Sequence, residues 1–297
     1  MNKVLGNKKA IALFTLPAFL LFFCIMILPI LASFFFSLQK WDGLGEMTFV
    51  GLRNYEKLFF TDSYHFHVSV KNTLIIAALS VFIQIPLALL LALLVTIGVK
   101  WENFYRTVYF IPVVISSSAI AQLFLKIYNF DYGALNTILR SLGLENWCRP
   151  WLYDESTALW AAFVPVIWQH IGYHMLILYA GIKAIPPQLL DSAKIDGAGT
   201  FRIWRYITIP QLLPMLEVTL TLAVIGALKI FDIMFILTSN GEPLGATIVQ
   251  TGVMYKLIFE KNNYGTGSAA ACFVVAECLI FTLIIRRIFH HERNSQP

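Results

Sequence analysis

Charged side chains are scarce in this chain: Asp, Glu, Lys and Arg make up 13% of its 297 residues, against about 25% in ordinary soluble domains. Cysteine is also thin. Cys24, Cys272 and Cys278 fall within apolar runs and Cys148 in a polar stretch, with no CxxC spacing, which excludes a disulfide framework and a zinc ribbon. GxSxG, the phosphate-cradling GxxxxGK[ST] and HExxH are all missing. His170 and His174 stand four apart, as metal ligands on one helix face would, but they lack the intervening glutamate and a third partner. Tandem repeats, low-complexity tracts and linkers are missing too, and with them any basis for several domains.

What fills the chain is hydrophobic: 58% of residues, with a mean hydropathy of +0.70. A membrane-spanning helix needs about 20 mainly apolar residues. Six segments reach that length: 11–38, 73–99, 108–127, 157–182, 212–237 and 267–288. The composition therefore predicts an all-α integral membrane protein with six transmembrane helices in a single domain, 1–297. The first run follows Lys3, Lys8 and Lys9 like a secretory signal, but it exceeds the 7–15-residue core of a signal peptide. It is expected to stay as the first helix.

Lys and Arg are retained on the cytoplasmic side of a membrane. With a cytoplasmic N-terminus, the inner segments hold Lys3, Lys8, Lys9, Lys100, Arg106, Lys183, Lys194, Arg202, Arg205, Arg286, Arg287 and Arg293, against Glu102, Asp191, Asp196 and Glu292. The outer connections, 39–72, 128–156 and 238–266, are longer and carry acids and bases in near balance. Both termini are thus expected inside. The net charge of +5 is a topology signal and does not point to nucleic acid.

The one sizeable inner connection, 183–211, contains "IPPQLLDSAKIDGAGTFRIWRYITIPQ". Pro186 and Pro187 suit a helix start and Gly197 a left-handed stop. Thr200 can cap a second helix, "FRIWRYI", before Pro210 and Pro214 set the entry to the fifth span. A helix-turn-helix is predicted. On its first helix Leu189, Ser192, Ala193 and Asp196 recur at helical spacing, giving a small-residue face flanked by carboxylates. Such a face suits a helix seated in a partner's groove, or an amphipathic helix resting on the bilayer.

The stretch resembles the cytoplasmic coupling loop of ABC importer permeases, a Glu-Ala-Ala, three residues, Gly pattern followed by two prolines. Asp191, Ser192, Ala193, Gly197, Pro210 and Pro214 occupy those places. Asp191-Ser192 stands where Glu-Ala is usual, and Glu242 replaces a glycine in an outer turn. The likeness extends to "FVGLRNYEKLF", "FYRTVYFIPVVIS", "DYGALNTILRSLGL" and "NGEPLGATIVQTGVMYKLIF", and is strongest to the carbohydrate branch, of the maltose/oligosaccharide and glycerol-phosphate type. The resemblance implies a bacterial or archaeal cytoplasmic membrane, a second homologous permease subunit in a heterodimer, two ATP-binding subunits and an extracytoplasmic solute-binding protein. It implies no cofactor in this chain, ATP and Mg being held by the ATPase. In this reading Asp191, Ser192, Ala193, Asp196 and Gly197 couple the spans to the ATPase.

The resemblance also makes the helices flanking this loop line the translocation path. Gln169, Tyr173, Phe231 and Asp232 lie there and offer the amide, carboxylate and aromatic plane that a sugar needs. Ionisable residues inside a membrane usually face a cavity or a partner. Lys229 and Asp232, three apart, either neutralise one another or meet solute. Glu217 and Glu277 are read as structural. Three alternatives stay open: another polar solute such as a polyol or glycerol phosphate; a stand-alone secondary transporter, for which inverted repeats and broken helices would be expected; and an intramembrane enzyme, which lacks a catalytic constellation here.

Overall fold

The computed structural model describes residues 8–61, 64–97, 100–239, 241, 243 and 245–294, with side chains described between 11 and 290. Lys3, Val99 at the end of the second expected span, and Glu242 lie outside the described residues. The chain forms two compact units, 1–64 with 253–275, and 65–252 with 276–297.

In the first unit, α1 (Lys8–Phe22) runs through a π-helical turn, Phe23–Ile27, into α2 (Leu28–Ser37). A short antiparallel pair follows, β1 (Gln39–Lys40) and β2 (Thr48–Phe49). Asp42 closes the turn between them by accepting from Leu44 N (3.1 Å) and Gly45 N (2.7 Å). Those two N–H groups, Gly45 first, hold its carboxyl below the ordinary carboxylate range. On α3 (Arg53–Phe60), Asn54 Nδ2 donates to the carbonyls of Ser37 and Gln39, each at 2.7 Å.

The second unit holds α4 (Phe66–Leu79), a π turn at Ser80–Gln84, α5 (Ile85–Thr96), α6 (Glu102–Val114), α7 (Ser117–Ile127), α8 (Ala134–Ser141) and α9 (Ala158–Lys183). Next come α10 (Pro187–Ile195), α11 (Thr200–Ile203), a π turn at Trp204–Thr208, α12 (Ile209–Gln211), α13 (Leu213–Leu228) and α14 (Asp232–Leu237). Two further helices, α15 (Gln250–Tyr255) and α16 (Tyr264–Asn294), have residues in both units. One core joins Ile76, Ile120, Ala162 and Met234; a second joins Ala88, Ala92, Met175, Leu178 and Leu212.

Three of the π turns share a cause legible in the sequence. Each lies just ahead of a proline: Pro29, Pro86 and Pro210. A proline brings no N–H and its ring strikes the carbonyl four residues back. That carbonyl belongs to Ile25, Phe82 or Tyr206, inside the widened turn in every case. The wider π turn takes up the clash without breaking the helix.

Among the described residues, five helical segments are long and apolar enough to cross a membrane: Ile11–Ser37, Phe66–Thr96, Ala158–Lys183, Leu213–Leu237 and Tyr264–His290. The third expected span, 108–127, is not one straight helix. It is the pair α6 and α7, bent by 95°. Pro112 removes a ladder donor near the end of α6, Ile115 turns extended, and Ser116 Oγ restarts the helix by accepting from Ala119 N at 3.2 Å. The fifth span is also interrupted, between Leu228 and Asp232, where Phe231 leaves helical geometry (φ −142°, ψ −66°). Two of the expected spans are thus broken within their length. The second span begins at Phe66, seven residues before Thr73, because Ser69, Asn72 and Thr73 are buried polar residues. Asn72 Nδ2 donates to the carbonyls of Ala246 (2.8 Å) and Ile248 (3.0 Å).

Candidate functional site

The segment between α9 and α13 folds by local rules. Pro187 opens α10 at its first position, where no donor is needed. The helix ends at Gly197 with φ +77°, and two bonds close the turn: Gly197 N donates to Lys194 O (3.0 Å) and Ala198 N to Ala193 O (2.9 Å). This is the paired closure of a left-handed helix end. Thr200 is the first residue of α11 and Gly199 holds the cap position, so the expected threonine cap is not made. The second helix also breaks up, passing from α11 through the π turn to α12 ahead of Pro210.

Asp191, Ser192 and Asp196 are exposed and Ala193 is half-buried, so the structure places the expected face outward. Asp191 meets Lys194 at 3.2 Å, with both side chains 65% exposed. So exposed a pair contributes about 0.2–1 kcal/mol at most and exchanges easily for another cation. Sequence reasoning named Leu189, which is 45% exposed, but missed the rest of the apolar part of this surface: Ile195 and Phe201 are 86% and 75% exposed. Large apolar side chains on an otherwise polar connection were the available signal.

A cavity of about 270 Å³ opens among the apolar helices of the second unit. Its wall includes Tyr173 and His170 from α9, Ser117 from α7, and Lys229, Phe231 and Asp232 from the break between α13 and α14. Three buried residues complete the polar lining, His174 of α9 with Ser80 and Gln84 of the π turn ahead of Pro86. Sequence reasoning singled out the histidine but not Ser80 or Gln84, although a serine and a glutamine just before a proline in an apolar run were there to be read.

The break sets the charges. A three-residue spacing puts Lys229 and Asp232 on one face only if the helix continues, and it does not: Lys229 ends α13 and Asp232 begins α14. No ion pair joins them, and both are exposed on the cavity wall. The Ile230 carbonyl, freed from the helix ladder, accepts from the Thr251 hydroxyl. His170 Nδ1 is held 3.0 Å from the Val166 carbonyl, while His174 Nδ1 is buried without a partner.

Of the four expected path residues, Tyr173, Phe231 and Asp232 line the cavity and Gln169 does not. Gln169 is buried, its Nε2 donating to Ile115 O at 3.1 Å and lying 3.3 Å from Ser117 Oγ. Ile115 sits in the bend after α6, where its carbonyl has lost its helical donor, and Gln169 supplies a replacement. Glu277, read as structural, is buried beside Gln250, and its Oε2 and both Gln250 amide atoms lack partners.

The arrangement can surround a polar solute with hydroxyl, amide, ammonium and carboxylate groups and set an aromatic face against it. Residues 84–293 match the binding-protein-dependent transport system inner membrane component family. An ABC transporter permease protein of Bacillus subtilis, YurN, is 36% identical over 286 residues, covering 95% of this chain and 97% of that one. The trehalose/maltose transport system permease protein MalF of Thermococcus litoralis is 32% identical over 283 residues, covering 95% and 94%. In fold, the chain is similar to a chain of a bacterial alginate ABC transporter solved in complex with alginate pentasaccharide-bound periplasmic protein. The TM-score is 0.82 at 23% identity, with 97% of each chain covered. Its matched length, its helices and its relatives agree: the chain belongs to the binding-protein-dependent transport system inner membrane components, the permeases of ABC importers.

Proposed function

We infer that this permease passes a sugar or oligosaccharide inward, taking it from an extracytoplasmic solute-binding protein. The observation that carries the reading is the cavity wall. Lys229 and Asp232 face it unpaired, beside Tyr173, Phe231, Gln84 and His174. A polyhydroxylated solute needs donors and acceptors on many sides and an aromatic plane for its apolar ring face. The name of the trehalose/maltose relative supports the same class of cargo.

The remaining parts follow from the same reading. Leu222, Gly226 and Lys229 form one exposed stripe of α13 that meets the cavity, and a second homologous permease subunit would close the path over it. Two ATP-binding subunits would seat α10, whose outward face carries Asp191, Ser192, Asp196 and the exposed Ile195. ATP and Mg would be bound by those subunits, with no cofactor in this chain. Both termini and α10 would be cytoplasmic, as the basic residues require.

Two measurements test this. A reporter active only in the cytoplasm should work when fused after Gly199 and fail near Cys148; the reverse would overturn the orientation. Mass spectrometry of the solute retained by the copurified cognate binding protein should find a sugar or oligosaccharide. An amino acid or peptide there would overturn the cargo class.

A further inference from the structure

Three contacts tie α6 to α9 along their length. At the end near α10, the Tyr179 hydroxyl donates to Glu102 and accepts from Arg106 Nη1 at 3.1 Å, with the guanidinium carbon 4.7 Å from the Tyr179 ring centre. Lys183, the last residue of α9, pairs with Glu102 at 3.0 Å. Midway, Gly172 lies so close to α6 that a Cβ there would overlap the Tyr109 carbonyl oxygen. At the far end Gln169 donates to Ile115 O in the bend and lies beside Ser117. From Gln169 to Lys183 is 14 residues of continuous helix, about 21 Å at the helical rise.

These contacts differ in kind. The first is a charge-assisted, aromatic-stacked cluster in which Tyr179 serves both an acid and a base. The second is backbone against backbone, with no flexible side chain to absorb a shift. The third replaces a hydrogen bond that the bend would otherwise leave unmade. A relative slide of α6 and α9 would break all three at once.

We propose that Gln169, Gly172 and Tyr179 are positioning residues that make α6 ride rigidly on α9, so that a push on α10 reaches the bend at Ile115 and the cavity wall at Ser117. This rests on the reading of α10 as the point where the ATPase engages. Four residues after Lys183 the chain enters α10, and α9 itself carries Tyr173 and His170 on the cavity wall. Displacement of α10 then moves two walls of the cavity together, α9 directly and Ser117 through the latched bend.

The test uses the assembled importer in lipid nanodiscs with its four native cysteines replaced by alanine. Spin labels at Val114→Cys and Val164→Cys, both exposed, report the distance between the end of α6 and α9. That distance should form one peak, unmoved between the nucleotide-free and ATP-vanadate-trapped states. A peak that moves on trapping would overturn the proposal. In Tyr179→Phe, which removes one oxygen and keeps the packing, the peak should broaden. Stimulation of ATP hydrolysis by the cognate binding protein as purified should fall about fivefold, the low end of measured coupling between sites. Gly172→Ala should exceed that loss, and Gln169→Leu should show it with the ATPase still bound. Normal stimulation and an unchanged peak in Tyr179→Phe and Gln169→Leu would overturn the latch even if Gly172→Ala fails to fold. Asp191→Lys separates the two readings: normal coupling in that variant would sink the role of α10, while the label pair still reports whether α6 and α9 move as one.

Discussion

The loop around α10 and the cavity beside α9 satisfy their polar groups in opposite ways. In the loop, the turn bonds and the one ion pair join residues no more than five apart: Gly197 to Lys194, Ala198 to Ala193, Asp191 to Lys194. What the loop leaves unsatisfied is apolar and points outward at Leu189, Ile195 and Phe201. The cavity draws Ser80, Ser117, Tyr173 and Asp232 from four separate helical segments, and what it leaves without an ion pair, Lys229 and Asp232, is charged and lines its wall. A part that holds its own shape and shows apolar residues to water is suited to dock. A part built by interrupting two spans and leaving charges open is suited to take in and release.

The largest effect should come from breaking the loop's own closure. Gly197 has φ +77° and open space around the site of a Cβ, so bulk meets nothing within this chain and the cost is conformational. Holding an L-residue left-handed costs about 1–2 kcal/mol, and a β-branched side chain stands at the upper end. Gly197→Val should therefore unwind the end of α10 and abolish solute uptake while membrane insertion stays normal. Gly197→Asn, which tolerates that conformation, should retain most uptake. Equal uptake in the two variants would show that the turn does not matter. Asp191→Lys should come close behind, losing the ATPase on purification through like-charge contact at the docked face. Full ATPase retention would remove Asp191 from that surface.

The same contrast governs how much was legible in the sequence. Apolar runs place the spans because lipid imposes a length, and Pro187 and Gly197 place the loop because their backbone demands are local. Pro29, Pro86 and Pro210 mark three of the π turns for the same reason. The cavity was read less well, since its walls depend on where helices stop being helices. Gln169 has the chemistry of a solute contact, but the carbonyl freed by the bend at Ile115 claims it first. Lys229 and Asp232 read as neighbours only on an unbroken helix. No proline marks the break between α13 and α14; it becomes intelligible once Thr251, distant in sequence, takes up the Ile230 carbonyl.

Smaller effects are expected in the cavity, and they should fall on uptake alone. Asp232→Ala and Tyr173→Ala remove single contacts, each hydrogen bond being worth about 0.5–1.5 kcal/mol, or more where a charged group is involved. Uptake should drop roughly threefold to twentyfold, with ATPase retention unchanged. Because Lys229 and Asp232 are not partners, a double Lys229→Ala, Asp232→Ala variant should be no better than the worse single variant. Recovery of uptake or of folded yield in the double variant would mean that the two charges neutralise one another after all.

The smallest effect sharpens the contrast, because it separates a loop that needs its internal ion pair from one that lends it out. Asp191 and Lys194 are both 65% exposed, and water screens a pair so placed. Lys194→Ala leaves both turn bonds intact, since the Lys194 contribution to Gly197 is its backbone carbonyl. It should change the thermal stability of the purified permease little, within the roughly 0.5 kcal/mol of an ordinary surface substitution. If Asp191 meets a cation of the ATPase, removing its local competitor should leave ATPase binding unchanged or slightly tighter, and the gain should fade at high salt. A titration of the ATPase onto the nanodisc-embedded permease, at low and high ionic strength, reads this directly. Clear weakening in Lys194→Ala would instead assign the docking charge to the lysine and leave Asp191 as its support.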